Sequence, residues 1–213
     1  MARTHLVWDW NGTLLDDFSL VVHATNSAFA AVGGRDVGPD EHRRRFRRPV
    51  AEFYAEILER AVDDEEFGKL DRIFHEAYRM GLTTMALAAD ATEALTLWPG
   101  SQSLLSMWFH DELVPALSTY GLSGHFTRVD GLRTEVGGHL KAGHLAEHLR
   151  HLGVAGPDAV LIGDSLDDAD AASSVGAGVV LYSGGFTDAA RLRAVGCPVA
   201  DTLTEAVEIA RDL

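Results

Sequence analysis

The chain has 213 residues, of which 46% are hydrophobic and 23% charged, as in an ordinary globular protein, which excludes general disorder. Its 18 basic and 32 acidic residues give a formal net charge of −14, so we expect neither nucleic acid nor an anionic membrane surface as a partner. Cys197 is the single cysteine, which excludes a disulfide framework within one chain.

Length and composition also limit the number of domains and the cellular location that we expect. The length allows one large domain, or a core with a modest second domain. We find neither a secretory signal nor an apolar run long enough to cross a membrane, and the lone cysteine favours a reducing compartment. We therefore expect a cytoplasmic protein that is a monomer or a homodimer.

Short apolar runs alternate with amphipathic runs in most of the sequence. Four runs have the length of strands: 5–8, 103–107, 159–163 and 179–182. Runs with helical spacing lie between them: 19–32, 111–120, 142–152 and 168–175. This alternation predicts an α/β fold with a parallel sheet and right-handed crossovers. Such folds bind ligands beyond the carboxyl ends of their strands.

A different pattern occupies residues 35–98, where no convincing strand is found. Apolar residues at helical spacing predict helices near 50–61, 67–78 and 88–98. We therefore predict a Rossmann-like core formed by residues 1–16 and 91–213, interrupted by an α-helical domain at residues 17–90.

Polar residues end three of the predicted strands. Asp9 follows the first, Ser106 lies at the end of the second, and Asp164 follows the third, with Asp167 and Asp168 on the next turn. Two like charges 4 Å apart repel by roughly 4 kcal/mol at an effective dielectric constant of 20. Such a carboxylate group needs protons or a cation, and its hard oxygen donors favour Mg²⁺.

These residues also form an ordered set of motifs. Residues 9–16, Asp-Trp-Asn-Gly-Thr-Leu-Leu-Asp, resemble the first motif of the haloacid dehalogenase-like (HAD-like) hydrolases, D-x-D-G-T-L-x-D. Ser106 fits the second motif, Lys141 the third, and Asp164 with Asp168 the fourth. The resemblance covers nearly the whole chain. The helical block resembles the small cap of phosphoglycolate phosphatase-like members.

The resemblance implies a Mg²⁺-dependent phosphatase. Asp9 would be the nucleophile that forms an aspartyl-phosphate intermediate. Asp9, the backbone carbonyl of Asn11 and Asp164 would hold Mg²⁺. Asp167 or Asp168 would orient a water molecule or Lys141 from behind these ligands; the spacing in the family favours Asp168.

The resemblance also implies residues that bind the phosphoryl group. Ser106 and the backbone N–H groups near Gly12 and Thr13 would donate hydrogen bonds, and Met107 lies beside them. Lys141 would neutralise the transferring group. Of the 18 basic residues only two are lysines, which makes a lysine at the motif position informative.

Asn11 departs from the family pattern, which has a second aspartate there. In the phosphatases that carboxylate protonates the leaving group and later activates water, and an amide does neither at neutral pH. We therefore expect slow turnover on alkyl phosphates, a smaller loss on aryl or acyl phosphates, and faster turnover for Asn11→Asp. A non-catalytic or regulatory protein that binds a phosphate ligand is the alternative.

Other residues leave further alternatives open. Arg47 and Arg48 could bind a substrate anion or form a solvated basic face. A phosphonatase would need a Schiff-base lysine, for which Lys69 is the candidate. A dehalogenase is disfavoured, because such members do not assemble the same carboxylate set. Three histidines with helical spacing are expected to face solvent rather than to bind metal: His144, His148 and His151.

Overall fold

The computed structural model describes residues 3–133 and 140–213. Within them, eight strands form a six-stranded sheet in the order β5-β4-β1-β6-β7-β8 and a pair, β2-β3. Their bounds are β1 His5–Trp8, β2 Leu15–Asp16, β3 Ala86–Leu87, β4 Ser101–Phe109, β5 Val129–Leu132, β6 Ala159–Gly163, β7 Gly178–Tyr182 and β8 Val199–Ala200. All neighbours in the larger sheet are parallel, which confirms the predicted α/β class.

Ten α-helices occur in the same described ranges. Their bounds are α1 Phe18–Ala30, α2 Pro39–Arg45, α3 Val50–Leu58, α4 Asp64–Leu82, α5 Ala91–Leu97, α6 His110–Thr119, α7 Ala142–Leu152, α8 Leu166–Val175, α9 Ala189–Ala194 and α10 Leu203–Arg211. None of them is both long and apolar enough to cross a bilayer.

The central strands explain the position of the site. All four residues of β1 are buried, as expected for a parallel strand covered on both faces. β1 pairs with β4 on one side and with β6 on the other, so that Trp8 lies opposite Leu104 and Ile162. The carboxyl ends of β1 and β6 therefore meet at one edge of the sheet.

Helices α1 to α4 lie between the two short antiparallel strands β2 and β3. Asp63 caps the N-terminus of α4, because its side chain accepts a hydrogen bond from the N–H of Glu66, and α1 packs along this helix. One apolar cluster includes Trp8 of β1 and Phe53 of α3, so the helices share a core with the sheet. The division at residues 17–90 stays a prediction.

Several predicted elements need correction. β4 continues to Phe109, so Ser106 lies within the strand and not at its end. The pairing register between β4 and β5 shifts in the same region, between Leu105 and Phe109. The block predicted to lack strands contains β3, and α5 begins at Ala91 instead of residue 88.

The expected solvent-facing histidine stripe on α7 is also wrong in part. His148 is buried, with its ring nitrogens 2.7 Å from the hydroxyl of Ser103 and 2.7 Å from the carboxylate of Asp130. A buried imidazole needs such partners, so His148 is a structural residue between α7, β4 and β5.

Candidate active site

The sheet brings Asp9 and Asp164 together. Asp9 directly follows β1 and Asp164 directly follows β6, and the N–H of Asp9 donates a 2.9 Å hydrogen bond to the carbonyl of Ile162. Both carboxylates are buried, with 8% of Asp9 and 1% of Asp164 exposed. The sequence prediction that these strand ends form one site therefore agrees with the structure.

Lys141 lies between two carboxylates of this site. It is the residue that precedes α7 and is only 2% exposed. Its Nζ lies 2.7 Å from Oδ1 of Asp9 and 2.5 Å from Oδ1 of Asp168. Burial alone would lower the pKa of Lys141, but the carboxylates of Asp168 and Asp9 raise it above its usual value. Lys141 is therefore a charged group of the site and not a solvated surface lysine.

The carboxylates outnumber the positive charge beside them. Oxygens of Asp9, Asp164 and Asp168 all lie within 4.8 Å of one another. Burial raises the pKa of Asp9 to about 6, against the opposing effect of Lys141. Burial, and then the charges of Asp9 and Asp168, raise the pKa of Asp164 well above its ordinary value. Three buried carboxylates facing one ammonium group fit a hard divalent cation such as Mg²⁺.

The loop after β1 and the segment after β7 hold Asp164 in place. Its carboxylate accepts a 2.6 Å hydrogen bond from the N–H of Phe186 and a 3.2 Å bond from the hydroxyl of Thr13. Gly12 has φ of +72° and a Cβ there would lie 2.6 Å from Oδ2 of Asp164. Both the backbone conformation and the close approach therefore require glycine.

Asp167 and Asp168 have different partners. The carboxylate of Asp168 caps α8 through Ser165 and pairs with the ammonium group of Lys141. Lys141 lowers the pKa of Asp168 although burial alone would raise it. Asp167 accepts a 3.0 Å bond from the backbone N–H of Lys141 and lies 3.8 Å from Nε of Arg48. Asp168 is thus the one of the two that orients the Lys141 side chain.

Asn11 is fixed at the other side of the site. Its Oδ1 accepts a 3.2 Å hydrogen bond from Ser106, and its Nδ2 donates to Asp17 at 2.9 Å and to the hydroxyl of Tyr78 at 2.8 Å. The Tyr78 hydroxyl in turn donates to Asp17 at 2.5 Å. Ser106 also accepts a 2.9 Å bond from the N–H of Trp108.

Sequence reasoning missed Asp17 and Tyr78. Asp17 is completely buried, and burial raises its pKa to about 6, although the hydrogen bonds from Tyr78, Asn11 and Gly12 oppose this. A second aspartate directly after Asp16, the last residue of the first motif, is a sequence signal for Asp17. Tyr78 occupies an ordinary apolar position of α4 and carried no such signal.

Two backbone N–H groups that were predicted to bind phosphate form hydrogen bonds within the protein in this structure. The N–H of Gly12 donates to Asp17 at 2.8 Å, and the N–H of Thr13 donates to the carbonyl of Trp10 at 3.2 Å. The loop would have to rearrange before these groups could bind a phosphoryl oxygen.

The structure separates the two arginines predicted to bind an anion. Arg48 lines the cleft beside Asp9 and Lys141. Arg47 does not line that cleft and pairs with Glu56 and Glu52 on α3. The geometry therefore supports Arg48 and not Arg47 as a substrate contact, while Met107 lines the cleft as predicted.

Comparisons with known proteins agree with this geometry. A model of the HAD-hydrolase-like family matches residues 136–206. A phosphoglycolate phosphatase of Chromobacterium violaceum is 26% identical over 210 residues, covering 89% of each chain. One of Mesorhizobium japonicum is 27% identical over 199 residues, covering 88% of this chain and 86% of its own. A predicted phosphatase from Clostridium acetobutylicum has the same fold, with a TM-score of 0.88, 14% identity and full coverage of both chains.

The parallel sheet, the ordered motif residues at its edge and these matches support an enzyme, a hydrolase similar to the HAD-like superfamily. Within that superfamily it resembles the phosphoglycolate phosphatases, the name that both relatives carry.

Proposed function

We propose that this protein is a Mg²⁺-dependent phosphatase that hydrolyses the phosphate monoester of a small metabolite through an aspartyl-phosphate on Asp9. The observation that carries the proposal is the contact of the buried Asp9 carboxylate with the Lys141 ammonium group at 2.7 Å. The relatives named phosphoglycolate phosphatase support the same reaction class.

The chain's own residues account for the first step. Lys141 keeps Asp9 ionised despite its burial, and an ionised carboxylate is the form that attacks phosphorus. The same ammonium group reduces the repulsion between Asp9 and an incoming phosphate dianion. Arg48, which lines the cleft, and Ser106, whose hydroxyl donates to Asn11 in this structure, would orient the phosphate oxygens.

Asp9 and Asp164 would hold the metal, and the backbone carbonyl of Asn11 is the third proposed ligand. When bound, Mg²⁺ would neutralise charge on the phosphate oxygens during transfer. Asp168 would stay with Lys141 and Ser165, because its carboxylate already pairs with both. Asp167 would remain behind the ligands, against the N–H of Lys141.

Asn11 limits the rate in this proposal. Its Nδ2 donates to Asp17 and Tyr78, so the amide has a positioning role and supplies no proton to a leaving group. General acid–base catalysis typically contributes about 10²–10⁴-fold, and we expect turnover on alkyl phosphates to be lower by a factor in that range.

The test is a panel of phosphorylated metabolites assayed with and without Mg²⁺. Release of phosphate by the wild type with Mg²⁺, its loss with a chelator, and its loss in Asp9→Asn are expected. Asp36→Asn is the matched control, because Asp36 is exposed. Equal activity of Asp9→Asn and the wild type would contradict the proposal.

A second candidate is a phosphate-binding protein without turnover, which the engaged Asn11 amide favours. It predicts that phosphate analogues bind the wild type while no ester in the panel is hydrolysed. The phosphonatase alternative has less support, because Lys69 is exposed on α4 and lines neither cavity beside the site.

A further inference from the structure

A second cavity adjoins the cleft that holds Asp9 and Lys141. Five residues line both spaces: Asn11, Phe46, Arg48, Met107 and Phe186. A substrate whose phosphoryl group lies at Asp9 would therefore place the remainder of the molecule in this second cavity. Its volume is about 80 Å³, whereas one buried water needs about 10–15 Å³, so a single small ring fits.

Aromatic rings form much of the cavity wall. The phenylalanine, tyrosine and tryptophan side chains that line it are Phe46, Phe53, Tyr54, Phe74, Tyr78, Trp108 and Phe186. The rings of Tyr78 and Trp108 lie 4.6 Å apart, and those of Phe74 and Tyr78 stack at 5.9 Å. Such a wall offers faces and edges for a further aromatic ring.

Residues of the wall also contain buried polar atoms that lack a hydrogen-bond partner. Nε1 of Trp108 and both ring nitrogens of His42 have no hydrogen-bond partner within the described part of the chain. Unpaired buried polar groups are costly.

The charge of the wall disfavours a carboxylate substrate. Asp71 lies in the wall, with its Oδ1 3.2 Å from Nε2 of His75. Among the described residues of the wall, only Arg48 has a permanent positive charge, and it lies at the junction with the cleft, 3.8 Å from Asp167. A carboxylate on the part of the substrate in this cavity would therefore face Asp71 without a cation of its own.

The chemistry at Asn11 points to the same kind of leaving group. Without an acid at this position the leaving oxygen must depart as an anion. A phenolic oxygen does so far more readily than an alkyl one, since phenols such as tyrosine have a pKa of about 10.

We propose that the substrate is a small aryl phosphate, with the phosphoryl group at Asp9 and a single aromatic ring in the second cavity. This inference rests on the proposed phosphatase function. Asp9 forms a bond to phosphorus as the bond from phosphorus to the aryl oxygen breaks, and that electron pair stays on the aryloxide, which takes a proton from solvent. Water then attacks phosphorus, Asp9 leaves as a carboxylate, and the proton passes to solvent.

The experiment compares kcat/KM for phenyl phosphate, benzyl phosphate and 2-phosphoglycolate. We expect phenyl phosphate to exceed 2-phosphoglycolate by at least about tenfold. Benzyl phosphate should match the KM of phenyl phosphate with a lower kcat, since it has the ring but an alkoxide leaving group. Competitive inhibition by phenylphosphonate should be about tenfold tighter than by phosphonoacetate, a readout that needs no variant.

Val50→Phe tests the cavity directly, because Val50 lines it. This variant should lower the ratio of kcat/KM for phenyl phosphate to that for 2-phosphoglycolate. Met80→Phe is the matched control, since Met80 on α4 is 85% exposed, and it should keep the ratio.

The outcomes separate the two proposals. Preference for 2-phosphoglycolate, with tighter inhibition by phosphonoacetate, would overturn the aryl substrate and leave the phosphatase function standing. No hydrolysis of any ester above the level of Asp9→Asn would overturn both.

Discussion

The side-chain amide of Asn11 donates a 2.9 Å hydrogen bond to the carboxylate of Asp17, a residue with no exposed surface. The Tyr78 hydroxyl bonds to both. Through Tyr78, these hydrogen bonds connect the loop after β1 to helix α4. A carboxylate at position 11 would therefore lie beside the carboxylate of Asp17.

Replacing Asn11 by aspartate alone would set two buried carboxylates against each other. The repulsion is roughly 4 kcal/mol at 4 Å and an effective dielectric constant of 20, and the donor to Asp17 is lost. From the sequence alone we expect Asn11→Asp to be about tenfold faster on alkyl phosphates. With Asp17 in place, we expect a smaller gain and a lower melting temperature.

The double variant Asn11→Asp/Asp17→Asn should recover the gain in rate that Asp17 suppresses. Its side-chain amide at position 17 can donate to the carboxylate at position 11, so the hydrogen bond is restored with donor and acceptor exchanged. We expect kcat on alkyl phosphates about tenfold or more above the wild type, measured by phosphate release. Asp17→Asn alone is the control and should not gain. Equal rates for the single and double Asn11 variants would show that Asp17 does not restrain position 11.

Metal binding should depend on Asp164. Calorimetric titration with Mg²⁺ should show binding to the wild type and weaker binding to Asp164→Asn, because one charged oxygen ligand is lost. Asp170→Asn removes an exposed carboxylate of the same helix, α8, and should bind Mg²⁺ like the wild type. Indistinguishable titrations for Asp164→Asn and Asp170→Asn would remove Asp164 from the metal site.

The two arginines should differ in kinetics. Arg48→Ala should raise KM more than it lowers kcat, because an anion contact away from the bond that breaks gives largely uniform binding. Arg47→Ala should leave both constants unchanged, since Arg47 pairs with Glu56 on α3. Steady-state assays of the two variants decide the point, and identical effects would contradict the assignment.

His42 should make folding stability depend on pH. Its ring is buried among Phe18, Phe46 and Phe53, and burial, followed by the charge of Arg43, lowers the pKa of His42 from 6.5 to about 4. The unfolded chain therefore takes up the proton first, so stability is lost as pH falls from 6.5 towards 4. The full loss is about 3 kcal/mol, at roughly 1.4 kcal/mol for each pKa unit.

Urea unfolding at pH 7.5 and 4.5 measures this effect. His42→Phe keeps the aromatic packing and should lose less stability between the two conditions than the wild type. His23→Phe, at an exposed position of α1, should behave like the wild type. An undiminished pH dependence in His42→Phe would mean that His42 is not the group that titrates.

The sequence by itself determined the parallel sheet and the residues at its edge. Asp9 and Asp164 each follow a short apolar run directly, and the carboxyl ends of parallel strands meet at one edge. Lys141 was indicated by its motif position and by the scarcity of lysine. These signals are local, because strand length and turn residues act over a few neighbouring positions.

Only the tertiary structure decided which groups complete the site. Asn11, Asp17 and Tyr78 form one hydrogen-bonded group although Tyr78 lies 61 residues beyond Asp17. The spacing of apolar residues in α4 predicts a helix but does not indicate which residue the Tyr78 hydroxyl contacts. His148 likewise sits at a helical position that sequence alone assigned to solvent, and the packing of α7 on β4 buries it. Contacts between distant segments depend on how helices pack across the sheet, and the periodicity of one segment does not contain that geometry.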